Sequence, residues 1–508
     1  MLVAAGNRMA DANKPELFIG LVGPIGVDLD YVQAVIVKEL KHLGYISVPL
    51  RITELMVAIK TDVTIEQNSY SAKYHSLIAY ADKVCEIAGS SAALAALAVA
   101  KIRDERTGIT GSVEKPALGH AYVIRQFKRP EEIELMRKTY GRKFIQISVS
   151  ASEKERRTDI SSKIKDFDET TRDKDECEKE AIDLIKKDFD EGTGSFGQKI
   201  SNIFHLGDVF IYGMNKRSIE DTLRRFFEAL FGHNGRSPTK MEYGMYTAAA
   251  ASLRSIDLSR QVGASIFTDA GEIVAMGCNE VPKAFGGTYW AEDGESAQRD
   301  FERGNDANQS RKLQILYDLV SRMSSSGFLS EELAAKNNAI DQLRTIMADE
   351  SIRESQIMDI IEFGRMIHAE MSAITDAARL GNSVKRATMY CTTFPCHMCA
   401  KHIVSSGIKS LVYLEPYPKS YAVELNADSI TFDDDLADKK VLFRPFVGIS
   451  PRRYRDIFEK RSRKMSSGKR KEWYHGDPLP MIEDKSAAYI ENEDSSIISQ
   501  LVTSSQAN

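Results

Sequence analysis

The alternation of apolar and polar positions divides the chain into stretches with different expectations. Residues 17–22 (LFIGLV) form an unbroken apolar run that empties into Gly23-Pro24-Ile25-Gly26, which predicts a buried strand followed by a glycine-rich loop. A helix is expected from about 30 to 43, with further strands at 121–125, 143–150 and 208–211. Past residue 240 a second series begins. Residues 241–259 are alanine-rich with apolar positions at helical spacing. Residues 261–267 and 272–277 read as a hairpin across Asp269-Ala270-Gly271. Then come a helix over 371–380 closed by Gly381-Asn382, a strand over 387–391, a second helix opening near Pro395, and a strand over 410–415. Residues 153–191 are densely charged and predict a solvated helical pair or a lid. The basic run 460–471 and the Ser/Asp/Glu-rich end predict a peripheral helix and a disordered tail.

With 508 residues the chain is too long for one compact domain. The turn cluster at 232–238 is the best linker, giving a tail (1–14), a first domain (15–232), a second (238–456, with an insertion at 281–366) and a basic helix with tail (457–508). Hydrophobic residues at 43% suffice for real cores. A net charge of −5 offers no broad basic face for a long polynucleotide. Six cysteines, three of them near one motif, point to a reducing compartment and not to a disulfide framework. Met1 to Arg8 lacks the apolar core of a signal peptide, and the longest apolar stretch, 92–100, is too short to span a bilayer. A cytoplasmic protein with no membrane partner is expected.

The chemistry concentrates in His368-Ala369-Glu370 and Pro395-Cys396-His397-Met398-Cys399. One imidazole and two thiolates would give Zn²⁺ three protein ligands and leave a fourth position for water, the pattern of a catalytic site. His368, Cys396 and Cys399 are the candidate ligands; Glu370 is the candidate general acid/base. Both clusters fall at helix starts, where free N–H groups and the helix dipole favour negative charge. Two other readings stay open. Cys396 and Cys399 could be a redox pair, or Cys391, Cys396, Cys399 and His402 could close around a structural zinc. The H-x-E…P-C-x-x-C arrangement resembles that of the zinc nucleobase deaminases.

The surroundings extend the resemblance to the cytidine and deoxycytidylate deaminase family. Gln261-Val262-Gly263-Ala264 resembles its V-G-A strand, and Gly277-Cys278-Asn279 its strand ending in G-x-N. The resemblance implies a five-stranded mixed sheet sandwiched by helices, with Asn279 against the sugar hydroxyl of the substrate. The insertion contains no Cys or His, so it supplies no second zinc site. Its Arg299, Arg303, Arg311 and Lys312 could meet phosphates, although their mixed acidic neighbours favour a solvated helical surface for any one of them.

The first domain resembles a P-loop nucleotide kinase, in the apolar strand, its glycine-rich loop and the order of later strands. Gly20, Gly23, Gly26 and Asp30 are its candidate nucleotide-binding positions. Set against G-x-x-x-x-G-K-[ST] from Gly23, however, the second glycine falls on Asp28, the lysine on Leu29 and the hydroxyl on Asp30. Phosphoryl transfer is not expected without that lysine. The expected fold is thus α/β: a P-loop kinase-like parallel sheet, then a cytidine-deaminase-like α/β/α sandwich with a long helical insertion.

This pairing resembles the bacterial anti-phage dCTP deaminases, also through residues 253–264, 277–282, 415–420 and 446–454. The resemblance implies zinc-dependent deamination of free deoxycytidine nucleotides, dCTP and also dCMP, in antiviral defence. It further implies a homo-oligomer whose first domain is regulatory and answers to a nucleotide, RNA or protein partner. A polynucleotide deaminase and a nucleotide sensor with a structural zinc are the alternatives.

Overall fold

The computed structural model describes residues 14–167, 173–189, 197–336, 338–417, 419–460, 462–471, 478–482 and 487–501. Residues 1–13 of the expected first tail, 502–508 at the end, 168–172 and 190–191 of the charged stretch and residue 461 lie outside the described residues; residues 462–471 form no helix, and a bridge joins Lys464 to Arg470 where a peripheral helix was expected. Twelve strands among those described are numbered along the chain: β1 Leu17–Val22, β2 Ile46–Arg51, β3 His120–Phe127, β4 Phe144–Ser150, β5 Val209–Tyr212, β6 Gly263–Phe267, β7 Ile273–Cys278, β8 Thr388–Thr393, β9 Ser410–Glu415, β10 Ile430–Thr431, β11 Val441–Pro445 and β12 Gly448–Ile449. They form two parallel-dominated sheets in two compact units, 1–242 with 446–508, and 243–445.

The first unit is an α/β layer structure around the order β2-β3-β1-β4-β5, all parallel, with β12 antiparallel at the β5 edge. Its sheet is covered on both faces, which explains why β1 reads as one apolar run. Leu17, Ile19 and Leu21 face one core, with the helices Leu29–His42 and Lys216–Leu230. Phe18 and Val22 face the other, with Ala93–Thr110 and Pro130–Tyr140. This is the period-2 alternation of a strand. Gly20, grouped from sequence with the loop glycines, belongs to this strand. A Cβ there would sit 2.7 Å from the rings of Phe127 and Phe144, so the glycine serves packing. Among the described residues no single helix is long and apolar enough to cross a membrane.

The end of the chain differs from expectation. Residues 446–456, assigned from sequence to the second domain, belong to the first unit: β12 pairs with β5, and buried Arg453 donates to Asp208 Oδ1 (3.1 Å) and the Phe144 carbonyl (2.7 Å). The part of the expected disordered tail that is described includes a helix, Tyr489–Leu501. Its Glu493 makes a two-pronged ion pair with Arg106 (2.6 and 2.8 Å), which also bonds Glu16 at 3.0 Å. Polar composition hid this docking because the anchoring charge is satisfied by residues almost 400 positions away.

In the second unit the order is β7-β6-β8-β9-β11-β10. β6 is antiparallel to β7 and β8, and the β8-β9-β11-β10 side is parallel. Ala264, Ile266, Met389 and Leu411 pack with Ala369, Ala373 and Ala377 of the helix Ala369–Arg379, and with Ala400 and Ile403 of the helix His397–Ser405. The opposite face carries the helix Lys240–Ser252, which ends seven residues earlier than its apolar pattern predicts. The helix closes in tight turns, Arg254 N–H to the Ala251 carbonyl (3.2 Å) and Ser255 N–H to the Ser252 carbonyl (3.0 Å), and Asp257 then fixes the next turn by accepting the N–H groups of Ser259 (2.8 Å) and Arg260 (3.2 Å). The insertion is helical, with Ala307–Ser325 and Ala339–Ala348 its longest elements. A bridge between Glu280 and Ile367 pins its two ends together beside the motif residues.

Candidate active site

Both motif clusters stand at helix N-termini on one side of β8. His368 is the N-cap of Ala369–Arg379, and Cys396 the N-cap of His397–Ser405. The backbone at both is extended, so the side chains leave the first turn in the direction of the free N–H groups. The two helices bring His368 Nδ1 to 3.3 Å from Cys396 Sγ and 3.4 Å from Cys399 Sγ. The ligand atoms of His368, Cys396 and Cys399 all lie within 4.8 Å of one another, and no other such group of potential metal ligands occurs among the described residues.

The closed alternative is not assembled. His402 turns its Nδ1 to the Met398 carbonyl at 2.7 Å, within its own helix. Cys391 lies in β8 as part of the hydrophobic core, where burial pushes its thiol well above the usual range. The gathered donor set fits zinc: one borderline nitrogen and two soft sulfurs, nearly enclosed, at two positive helix ends. The Cys396 thiol is pushed down, first by its hydrogen bond from Cys399 and then by His368. Cys396 in turn holds His368 above its ordinary value.

Glu370 is 4% exposed and lines the same cavity as His368 and Cys396. Burial pushes its carboxyl up, with His368 opposing the shift. The cavity, about 280 Å³, is walled by the turn after the first helix (Asp257, Arg260), by Asn279, by Thr393 and Phe394, and by Tyr417. The insertion contributes Asp306, Asn308, Ile361 and Met366. Asn279 lines this cavity, and its side chain also braces the backbone. Its Oδ1 accepts from Val262 N–H (2.7 Å) and its Nδ2 donates to the Arg260 carbonyl (2.8 Å). It thereby holds the turn that carries Arg260 into the wall.

The basic residues of the insertion that sequence offered for phosphate contact do not line this cavity. Arg299 is spent on Glu302 at 2.8 Å, Lys312 on the Met358 carbonyl at 2.7 Å, and Arg311 on Gln314 at 3.0 Å; Arg303 is exposed at the end of a short helix. The guanidinium that does line it is Arg260, which bonds Glu415 at 3.0 Å. Asp257 fell inside the helix expected over 241–259 and Arg260 just past its end, so neither was singled out for the site. Asp306 and Asn308 had no local signal, because they reach the site only when the insertion folds back.

One glycine sets the position of the catalytic candidates. At Gly277 in β7 a Cβ would lie 2.3 Å from Ala369 O and 2.4 Å from Ala373 N. The helix bearing His368 and Glu370 therefore rests on the strand backbone to backbone. Gly277→Ala should push that helix outward and lower turnover by about 10²-fold, since displacement near 1 Å at a reacting group costs that much. Steady-state kinetics beside a melting curve would check this; wild-type kcat in a folded variant would show that the close contact does not position Glu370.

Comparison with known proteins finds sequence similarity in the same region. Residues 238–415 match the model of the cytidine and deoxycytidylate deaminase zinc-binding region. The chain is 59% identical over 54 residues to the deoxycytidylate deaminase of Enterobacteria phage T2, covering 11% of this chain and 29% of that protein. It is 36% identical over 83 residues to ComE operon protein 2 of Bacillus subtilis (15% and 44%), and 25% identical over 207 residues to the deoxycytidylate deaminase of Pongo abelii (41% and 79%). The chain thus spans less than a third of the length of the phage relative. Among solved structures, the dCMP deaminase of cyanophage S-TIM5 in complex with dCMP and dUMP aligns at 18% identity and TM-score 0.22, over 41% of this chain and 98% of that one. The stretch similar to that zinc-binding region, residues 238–415, contains His368, Glu370, Cys396 and Cys399.

Proposed function

We propose that this chain hydrolytically deaminates free deoxycytidine nucleotides, dCTP and also dCMP, to the corresponding uracil nucleotides with release of ammonia. The observation that carries the reading is the convergence of His368, Cys396 and Cys399 beside a buried Glu370 in one cavity. Zinc held by those three residues would supply Lewis acidity that brings the ionisation of water towards neutral pH. Glu370 takes the proton from the attacking water and delivers it to the departing amino nitrogen, so that C–N is exchanged for C–O and ammonia leaves. Phe394, Tyr417 and Asn279 line the cavity, which supports a role for the two rings against the base and for Asn279 at the sugar hydroxyl. Arg260 is the cation of the wall, and the carboxylates of Asp257 and Asp306 make that wall a poor track for a polyanionic strand.

On this reading residues 15–232 form a regulatory domain, the protein is a cytoplasmic homo-oligomer, and draining the deoxycytidine nucleotide pool serves defence against phage. The six free thiols suit a reducing compartment. The test is to incubate purified full-length protein with dCTP, dCMP, cytidine and a cytosine-containing single strand while measuring uracil product and bound zinc. Free nucleotides should be converted by protein holding about one zinc per chain. Replacing His368, Cys396 or Cys399 should remove the metal, whereas Cys391→Ala and His402→Ala should retain it. Conversion of the single strand alone would overturn the substrate assignment; metal loss on replacing Cys391 or His402 would revive the closed site.

A further inference from the structure

The insertion ends in a stretch with almost no regular structure that nevertheless forms part of the deaminase cavity. Past the tight helical turn Gln356–Asp359, residues 360–366 belong to no helix or strand, and Ile361, Gly364 and Met366 line the cavity. With no ladder to place it, such a segment takes its position from the side chains that satisfy its backbone. Asn308, on the helix Ala307–Ser325, donates from Nδ2 to the Ile360 carbonyl (2.7 Å) and accepts the Phe363 N–H at Oδ1 (3.1 Å). Lys312, one turn further along that helix, is buried and donates to the Met358 carbonyl at 2.7 Å.

The same segment is tied to the elements around the metal motif. Lys419 Nζ donates to Asp359 Oδ1 at 2.7 Å, His397 Nε2 lies 3.4 Å from Glu362 Oε1, and the Glu280–Ile367 bridge fixes the end next to His368. Residues 356–367 therefore form a strap along the cavity, fastened on one side to the insertion and on the other to the deaminase layers. The cavity measures about 280 Å³, below the ~300–1,000 Å³ of ordinary small-molecule sites. A free nucleotide has one phosphate end and needs one way out of such a wall. A nucleotide inside a strand continues on both sides of its sugar and needs two.

We propose that this strap is what selects a free nucleotide over one embedded in a strand, and that Asn308 is the positioning residue that sets it. An amide is suited to the task because it donates and accepts at once, meeting a carbonyl and an N–H three residues apart with one side chain. The Lys419–Asp359 ion pair is a second, weaker fastening, since it is partly exposed to solvent. The inference rests on the deamination reading above and assigns its substrate selection to the insertion, outside the residues of the metal motif.

The experiment compares kcat/KM of the full-length protein for the better of dCTP and dCMP with that for a deoxytrinucleotide carrying cytosine in the middle. The quantity read is the ratio of the two, which a partly inactive preparation does not change because both rates fall together. Wild type should strongly prefer the free nucleotide. Asn308→Ala should lower the ratio about tenfold, through a higher KM for the free nucleotide and faster conversion of the trinucleotide. Asp359→Asn should lower it about threefold, and Lys419→Arg, which keeps the cation, should hold the wild-type ratio. An unchanged ratio in Asn308→Ala overturns the strap while leaving the deamination reading intact. Should that variant fail to fold, an unchanged ratio in Asp359→Asn overturns it instead. Wild type that converts neither substrate, or the trinucleotide as readily as the free nucleotide, overturns the reading and the strap together.

Discussion

Glu370→Gln is expected to keep its zinc and its fold and to lose nearly all deamination. The side chain is 4% exposed, so the isosteric amide keeps the packing while removing the group that can take and return a proton. General acid–base catalysis contributes about 10²–10⁴-fold, and here a single carboxylate serves both proton steps, so kcat should fall towards the upper end of that range. Zinc content should not move, because the three gathered donors do not include Glu370. Metal analysis and single-turnover kinetics on one preparation would decide. If Glu370→Gln retains near-normal turnover with zinc in place, the proton passes through another group and the proposed mechanism fails.

Arg106→Leu should be the most damaging change in the first unit. Arg106 is fully buried between Glu16 and Glu493, and Tyr122 and Tyr489 donate to Glu16 from either side. Burial by itself would pull Arg106 down, but the two carboxylates outweigh it and hold the guanidinium above its ordinary value. Removing it strands two buried carboxylates, for which a loss of about 3–5 kcal/mol is expected. Glu493→Gln keeps the Arg106–Glu16 pair and should cost clearly less. Urea unfolding of both variants gives the comparison, and limited proteolysis should show the helix Tyr489–Leu501 released first in Arg106→Leu. Equal costs in the two variants would mean that this triad is not what anchors the helix.

The metal motif was readable because its chemistry is local. His368 and Glu370 occupy one helix start and Cys396 and Cys399 another, so spacing along the chain already sets their directions. Eight of the twelve described strands were readable for a similar reason, as in β1, whose six residues are all buried, whereas β2, β10, β11 and β12 were not expected. The helix ending at Ser252 was overestimated because alanine content reports propensity, whereas past Ser252 the chain runs through tight turns, the later one held by the Asp257 carboxylate. The role of Gly20 was misplaced because a glycine needed for ring packing and one needed for a loop look alike in sequence.

The sequence by itself therefore determined the candidate metal and acid/base residues, the α/β layering and the absence of a lysine from the loop after β1, since each depends on residue type and short-range spacing. Only the tertiary structure decided what surrounds them. It chose His368, Cys396 and Cys399 over Cys391 and His402 by distance, brought Asp306 and Asn308 to the cavity wall by pinning Glu280 to Ile367, and docked Glu493 on Arg106. It also seated Asp188 in a loop more than 160 positions away. Such pairings are settled by which buried charges and N–H groups remain to be satisfied once the layers have packed, a condition that no local stretch of the chain records.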